Sequence, residues 1–105
     1  MATKRKNIRT WQRVEFIKLL KRTEKCCVFC NTPWSANVRP TLDHIVPVSA
    51  GGDNGLKNLT LACEPCNNLR GSIPFLVFME NVTSPESREI YRNELAREGK
   101  NDELY

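Results

Sequence analysis

Two Cys-x-x-Cys pairs constrain this chain more than any other feature. Cys27 pairs with Cys30 and Cys63 pairs with Cys66, and 32 residues separate one pair from the other. Two residues between cysteines allow both thiolates to reach one metal ion from a single turn, and two such turns complete a closed tetrahedral zinc site. We therefore predict a structural Zn²⁺ held by these four cysteines, with the segment between the pairs folded back on itself.

Cys26, the fifth cysteine of the chain, leaves an alternative open. A Cys26-x-x-x-Cys30 pair could also bind a metal, although the matched two-residue gaps favour Cys27; otherwise Cys26 is a buried thiol without a role. Ligation is favoured over disulfides because the N-terminal sequence MATKRKNIRTWQR is basic and polar, without the apolar stretch of a secretory signal. We expect a cytoplasmic protein of a bacterium or a phage-infected cell, with no membrane span.

The charge of the chain is unevenly distributed. Residues 1–25 contain nine Lys and Arg against two Glu, whereas residues 80–105 contain four basic and seven acidic residues; the formal net charge is +4. A polyanion such as DNA would therefore contact the N-terminal part first. The alternative is a solvated basic tail without a partner.

The spacing of apolar residues predicts a helix near the N-terminus. It begins at Thr10 and ends near Thr23, and its apolar stripe contains Trp11, Val14, Ile17 and Leu20, widened by Phe16 and Leu19. Arg13, Lys18, Lys21 and Arg22 form the opposite face of this helix.

The middle and the end of the chain predict a hairpin followed by helices. TLDHIV and LTLAC read as two strands joined by a loop rich in Gly, Asn and Asp, and EPCNNLRGS reads as a short helix. IPFLVFM predicts a buried helix, and PESREIYRNELARE predicts a last helix whose thin apolar face contains Ile90, Tyr91 and Leu95. We expect one α+β domain over residues 10–98, between a flexible basic tail at 1–9 and a polar tail at 99–105.

His44 is the only histidine of the chain, and it directly follows Asp43. An isolated Asp-His pair is often just a hydrogen-bonded, partly buried pair. Here the two side chains point to opposite faces of a strand that ends near Pro47, and the second cysteine pair brings Asn67 back towards the same place. A neutral imidazole has a pKa close to 7, which suits it to remove a proton from water.

Three stretches carry a resemblance to a known family. CVFC, LDHIVPVSAGG and KNLTLACEPCNNLRGS lie in order over residues 27–72. Their order and spacing resemble the HNH family of ββα-metal endonucleases, in the version with two zinc knuckles that is also found in phage junction-resolving and homing nucleases. The resemblance implies a small α+β domain with a ββα-metal core and a structural zinc site, flanked by N- and C-terminal helices.

The same resemblance implies roles for four polar residues. His44 would be the general base, Asp43 and Asn67 would bind a catalytic divalent ion, and Asn58 would brace the loop between the strands. Asparagine rather than histidine at position 67 favours a hard, oxygen-bound Mg²⁺ or Mn²⁺. The expected products carry a 5′ phosphate and a 3′ hydroxyl.

Two basic residues are weaker candidates for substrate binding. Arg70 lies one turn after Asn67 on the same face of the predicted helix, where it could hold a phosphate. A solvent-facing arginine is the alternative. Lys57, next to Asn58, could also contact DNA.

These features predict a hydrolase: a metal-dependent DNA endonuclease that nicks or cuts DNA with little sequence specificity, because no base-reading helix-turn-helix or zinc-finger series is present. The alternative is a non-catalytic, zinc-stapled nucleic-acid-binding or adaptor module. It could be a partner of a phage packaging or recombination complex. A third interpretation, which is compatible with catalysis, is a small regulator of another enzyme such as a phage packaging motor, with an exposed Trp34 and the acidic C-terminal helix. A pure scaffold, however, does not require Asp43, His44, Asn58 and Asn67 together.

Overall fold

The computed structural model describes residues 10–22 and 25–97, and within them the predicted α+β class is confirmed. The predicted tails at residues 1–9 and 99–105 lie outside the described residues. Two antiparallel strands form the sheet, and helices precede and follow it. In chain order the elements are α1 Thr10–Arg22, β1 Pro40–His44, β2 Leu59–Cys63, α2 Glu64–Arg70, α3 Phe75–Asn81 and α4 Pro85–Arg97.

The hairpin of β1 and β2 forms the centre of the fold, as the sequence predicts. Its register places Pro40 opposite Cys63 and His44 opposite Leu59. Every residue of β2 is buried, which agrees with its aliphatic sequence, whereas β1 is only half-buried. The carboxyl end of β1 therefore lies beside the start of β2, so that residues far apart in sequence meet there.

Two parts of the loop between the strands lie in close backbone contact. It contains two short 3₁₀ turns, Val48–Ala50 and Leu56–Asn58. Gly52 lies between them, and a Cβ atom at this position would be 1.7 Å from the carbonyl oxygen of Val46. Only glycine fits this approach without a backbone shift.

The N-terminal helix is confirmed, but only part of the predicted apolar stripe is buried. Leu19 is fully buried, and with the partly buried Phe16 it packs on Leu59 and Leu61 of β2. Three other members of the predicted stripe are exposed, namely Val14, Ile17 and Leu20. The side chain of Trp11 lies outside the described residues. The position of β2 selects which face of α1 is buried, and helical periodicity alone does not contain that information.

A second core cluster surrounds the cysteines and joins the C-terminal helices to the hairpin. Phe29 meets Phe78 edge to face at a ring distance of 4.8 Å, and Phe78 contacts Tyr91 at 5.9 Å. The helix predicted from IPFLVFM is confirmed as α3, although it buries Phe78 and leaves Leu76 exposed. Aromatic contacts thus hold α3 and α4 against the cysteine turn.

Trp34 is a packing residue and not an exposed anchor. It is partly buried and lies against both core clusters. The expectation of an exposed Trp34 that receives a partner is therefore wrong, because the loop before β1 folds the indole between the clusters. Separately, no helix in the described part of the chain is long and apolar enough to cross a membrane.

Candidate active site and metal centre

Four buried cysteines form one compact cluster. Cys27 and Cys30 come from the turn before β1, Cys63 ends β2, and Cys66 lies in the first turn of α2. Their sulfur atoms all lie within 4.8 Å of one another, and the sulfurs of Cys30 and Cys63 are 3.7 Å apart. A tetrahedral zinc site with Zn–S bonds of about 2.3 Å has sulfurs about 3.8 Å apart. The geometry therefore fits the predicted structural zinc.

Cys26 and its neighbour Cys27 have different surroundings, and Cys27 alone belongs to the cluster. Cys27 is completely buried in the cluster, whereas Cys26 forms an isolated β-bridge with Pro33. Among the residues that the structure describes, Cys26 is not part of any group that could hold a metal. The alternative pair of Cys26 and Cys30 is therefore not the one that the fold assembles.

The protonation of the cluster favours a bound cation. Hydrogen bonds from Cys63 and Cys66 lower the pKa of the Cys27 thiol, because they stabilise its thiolate. The hydrogen bond that Cys63 gives to Cys27 in turn raises the pKa of Cys63 to about 11. Thiolates that lie this close together repel one another, and a bound Zn²⁺ would neutralise that repulsion.

The side chain of Arg88, in α4, contacts the sulfur atoms of this cluster. Its Nη1 atom lies 3.5 Å from the sulfurs of Cys30 and Cys63 and 3.4 Å from that of Cys66. A guanidinium donor beside thiolates stabilises their charge, and such outer partners orient metal ligands. Sequence reasoning missed this residue, because a basic residue on an amphipathic helix looks like an ordinary solvent-facing side chain.

Replacement of Arg88 by methionine is expected to accelerate zinc loss to a chelator about tenfold, the lower end of the usual effect of an outer-shell partner. Chelator absorbance against time measures the rate. Arg92→Met is the matched control, because Arg92 lies on the same helix but is exposed and pairs with Glu89. Equal rates for the two variants would show that Arg88 does not support the cluster.

At the end of β1, Asp43 and His44 contact different parts of the fold. The Oδ2 atom of Asp43 accepts a hydrogen bond of 2.8 Å from Nη1 of Arg70. The Nε2 atom of His44 lies 2.9 Å from Oδ1 of Asn54 in the loop. The carboxylate is therefore held by α2, and the imidazole is held by the loop.

Arg70 has a different position from the one predicted. Its side chain is 1% exposed, against 11% for Asp43, and it donates to the carbonyl oxygens of His44, Ile45 and Ile73. Neither a phosphate contact nor a solvent-facing position fits a guanidinium that is buried among protein acceptors. Burial raises the pKa of the Asp43 carboxyl above its ordinary value, and the charge of Arg70 offsets only part of that rise.

Asn67 links α2 to β1. Its Nδ2 atom donates to Oγ1 of Thr41 at 2.9 Å and to the carbonyl oxygen of Leu42 at 3.3 Å. Within the described residues, no hydrogen-bond donor reaches the amide oxygen of Asn67. This oxygen and the carboxylate of Asp43 are both hard donors, which is the type of ligand that Mg²⁺ and Mn²⁺ prefer.

Asn58 closes the loop with both atoms of its side-chain amide. Its Oδ1 accepts from the backbone nitrogen of Val46 at 2.8 Å. Its Nδ2 donates to the carbonyl oxygens of Val46 at 3.0 Å and of Asp53 at 2.8 Å. The neighbouring Lys57 is exposed on the same loop. Asn58 therefore ties the two ends of the loop together beside the end of β1.

The architecture is that of a ββα-metal module: a hairpin is followed by a short helix, and a four-cysteine centre lies where they join. Comparison with known proteins gives the family: residues 27–72 match the family model described as HNH endonuclease. The match confirms the predicted resemblance to the HNH endonuclease family over this segment, which is less than half of the chain.

Two curated relatives cover the same part of the chain. The CRISPR-associated endonuclease Cas9 of Corynebacterium diphtheriae is 33% identical over 58 residues, which are 54% of this chain. The CRISPR-associated endonuclease Cas9 of Actinomyces naeslundii is 35% identical over 60 residues, or 56% of this chain. In both cases the chain spans only 5% of the length of the relative. Neither Arg88 nor α4 lies within the family match.

Proposed function

We propose that this chain is a metal-dependent DNA endonuclease that hydrolyses phosphodiester bonds with little sequence specificity, inside a bacterial or phage-infected cell. The observation that carries the proposal is that three polar residues on or beside β1 are each held by a different partner: Asp43 by Arg70 of α2, His44 by Asn54 of the loop, and Asn67 by Thr41 of β1. The HNH match and the nuclease relatives support the same class of reaction.

His44 is the general base in this proposal. Its neutral imidazole takes a proton from a water molecule, and the oxygen of that water bonds to phosphorus as the bond from phosphorus to the 3′ oxygen breaks. The departing 3′ oxygen takes a proton from solvent water, and the imidazolium of His44 returns its proton to solvent. The products are then a 5′ phosphate and a 3′ hydroxyl.

Asp43 and Asn67 are the proposed ligands of the catalytic divalent ion. A bound Mg²⁺ or Mn²⁺ would supply stabilisation for the negative charge that develops on the phosphate oxygens. Arg70 holds one carboxylate oxygen of Asp43, and Thr41 holds the amide nitrogen of Asn67. Both donor groups are therefore oriented by the protein, which reduces the reorganisation needed on metal binding.

Exposed basic residues supply the proposed DNA contacts. Arg13, Lys18 and Lys21 lie on the solvent side of α1, and Lys57 lies on the loop beside the active site. Phosphate contacts of this kind give affinity without sequence information, and that affinity falls as salt concentration rises. This arrangement supports cleavage with low intrinsic specificity.

The test is conversion of supercoiled plasmid by zinc-loaded wild-type protein with Mg²⁺, with Mn²⁺ or without an added ion. We expect nicked or linear DNA only when the divalent ion is present, and nicks that DNA ligase seals, because sealing requires a 5′ phosphate next to a 3′ hydroxyl. A folded, zinc-containing protein that leaves the plasmid intact with every ion would rule out the general nuclease.

A further inference from the structure

The contact between His44 and Asn54 determines which imidazole nitrogen carries the hydrogen. An amide oxygen accepts hydrogen bonds and cannot donate them. The Nε2 atom of His44 lies 2.9 Å from Oδ1 of Asn54, so this nitrogen is the donor. A neutral imidazole has a single N–H group, and the lone pair is therefore on Nδ1.

The residues on both sides of Asn54 are fixed by hydrogen bonds within the loop. The carbonyl oxygen of the preceding Asp53 accepts from Nδ2 of Asn58 at 2.8 Å, and the side chain of Asp53 accepts from the backbone nitrogen of Gly55 at 2.9 Å. The carbonyl oxygen of Gly55 accepts from the backbone nitrogen of Asn58 at 2.9 Å. Since Asn58 also bonds to Val46, the position of Asn54 is coupled to the end of β1.

We propose that Asn54 is a positioning residue for His44: its amide oxygen holds the imidazole in the tautomer with hydrogen on Nε2, which makes Nδ1 the atom that accepts the proton from water. This inference rests on the proposed role of His44 as general base and adds the residue that orients it. Asn54 acts only through His44 and is not itself a catalytic residue.

A tautomer measurement tests this inference independently of DNA cleavage. The chain has one histidine, so ¹⁵N-labelled imidazole in protein without an affinity tag gives a single pair of ring-nitrogen resonances. At an alkaline pH where the ring is neutral, we expect the wild type to carry hydrogen on Nε2. Hydrogen on Nδ1 in the wild type would overturn the proposal.

Two variants of Asn54 separate the hydrogen bond from the volume of the side chain. Asn54→Leu keeps a similar volume without an acceptor, and we expect a mixture of both tautomers. Asn54→Asp restores an acceptor oxygen and should restore the single Nε2–H tautomer. An unchanged tautomer in Asn54→Leu would show that Asn54 does not select it.

Cleavage kinetics provide the functional measure. Asn54→Leu is expected to lower kcat about tenfold, the effect of one lost hydrogen bond, with little change in KM because Asn54 is not proposed to touch DNA. Asn54→Asp should recover most of this loss, and Asn93→Leu on the exposed face of α4 should be neutral. A rise in KM without a fall in kcat would contradict the positioning role.

The outcomes distinguish this inference from the proposed function. If wild-type protein fails to cut plasmid with any ion but its histidine shows the Nε2–H tautomer that Asn54→Leu loses, the nuclease proposal fails while the positioning contact stands. If the wild type cuts DNA and the tautomer does not respond to Asn54, the nuclease proposal stands and the inference about Asn54 fails.

Discussion

His44→Ala is expected to abolish metal-dependent cleavage of plasmid DNA while zinc content and fold are retained. General base catalysis typically accelerates a reaction by about 10²–10⁴-fold, and His44 is the only histidine of the chain. The imidazole lies half-buried at the end of β1 and belongs to neither core cluster. We therefore expect removal of the imidazole to lower the cleavage rate and to leave the packing intact.

The measurement compares initial nicking rates of His44→Ala and wild type at equal zinc content and with matched thermal unfolding curves. Val48→Ala is a suitable control, because Val48 lies four residues further along the same loop region and is exposed. Ion-dependent nicking by purified His44→Ala at the wild-type rate would contradict the assignment of the base, or would trace the activity to a contaminant.

Cys66→Ser is expected to abolish zinc binding and cooperative unfolding together. Metal binding contributes on the order of 10 kcal/mol to the folding of small zinc domains, against a total stability of about 5–15 kcal/mol for a typical domain. Cys66 is fully buried, and its sulfur belongs to the four-cysteine cluster. Zinc analysis after dialysis and circular dichroism during heating give the two measurements.

Cys26→Ser provides the matched control within the same chain. Cys26 neighbours Cys27 but stands outside the cluster, so its variant should keep one zinc ion and the wild-type unfolding transition. Cys27→Ser, in contrast, should behave like Cys66→Ser. Zinc loss in Cys26→Ser together with zinc retention in Cys27→Ser would show that the first knuckle uses the other cysteine.

The metal centre and the candidate active site depend on one another through α2. This helix has seven residues, which is too short for stability by itself. Cys66 joins its first turn to the cysteine cluster, while Arg70 joins its last turn to Asp43 and to the backbone at the end of β1. Asn67 lies between these two anchors. Loss of zinc should therefore also disturb the position of the proposed catalytic metal ligand.

Long-range packing explains why the position of Arg70 and part of the buried face of α1 are predicted wrongly from the sequence. Arg70 shares a helix face with Asn67, but only the docking of α2 on β1 shows that its guanidinium is buried against Asp43. The apolar residues of α1 permit several buried faces, and β2 selects the one with Leu19. Because such contacts join residues distant in sequence, neither periodicity nor residue type predicts them.

Elements with local signals can be predicted from the amino-acid sequence alone. The two-residue gaps define the cysteine knuckles, alternating and helical patterns define the hairpin and its helices, and the motif around His44 indicates the family. The packing of separate elements is needed to show that Arg88 faces the cysteines, that Arg70 pairs with Asp43, and that Asn54 contacts His44. The reason is physical: ligand spacing and backbone preference act within one turn or strand, whereas the partner of a polar side chain depends on how separate elements pack.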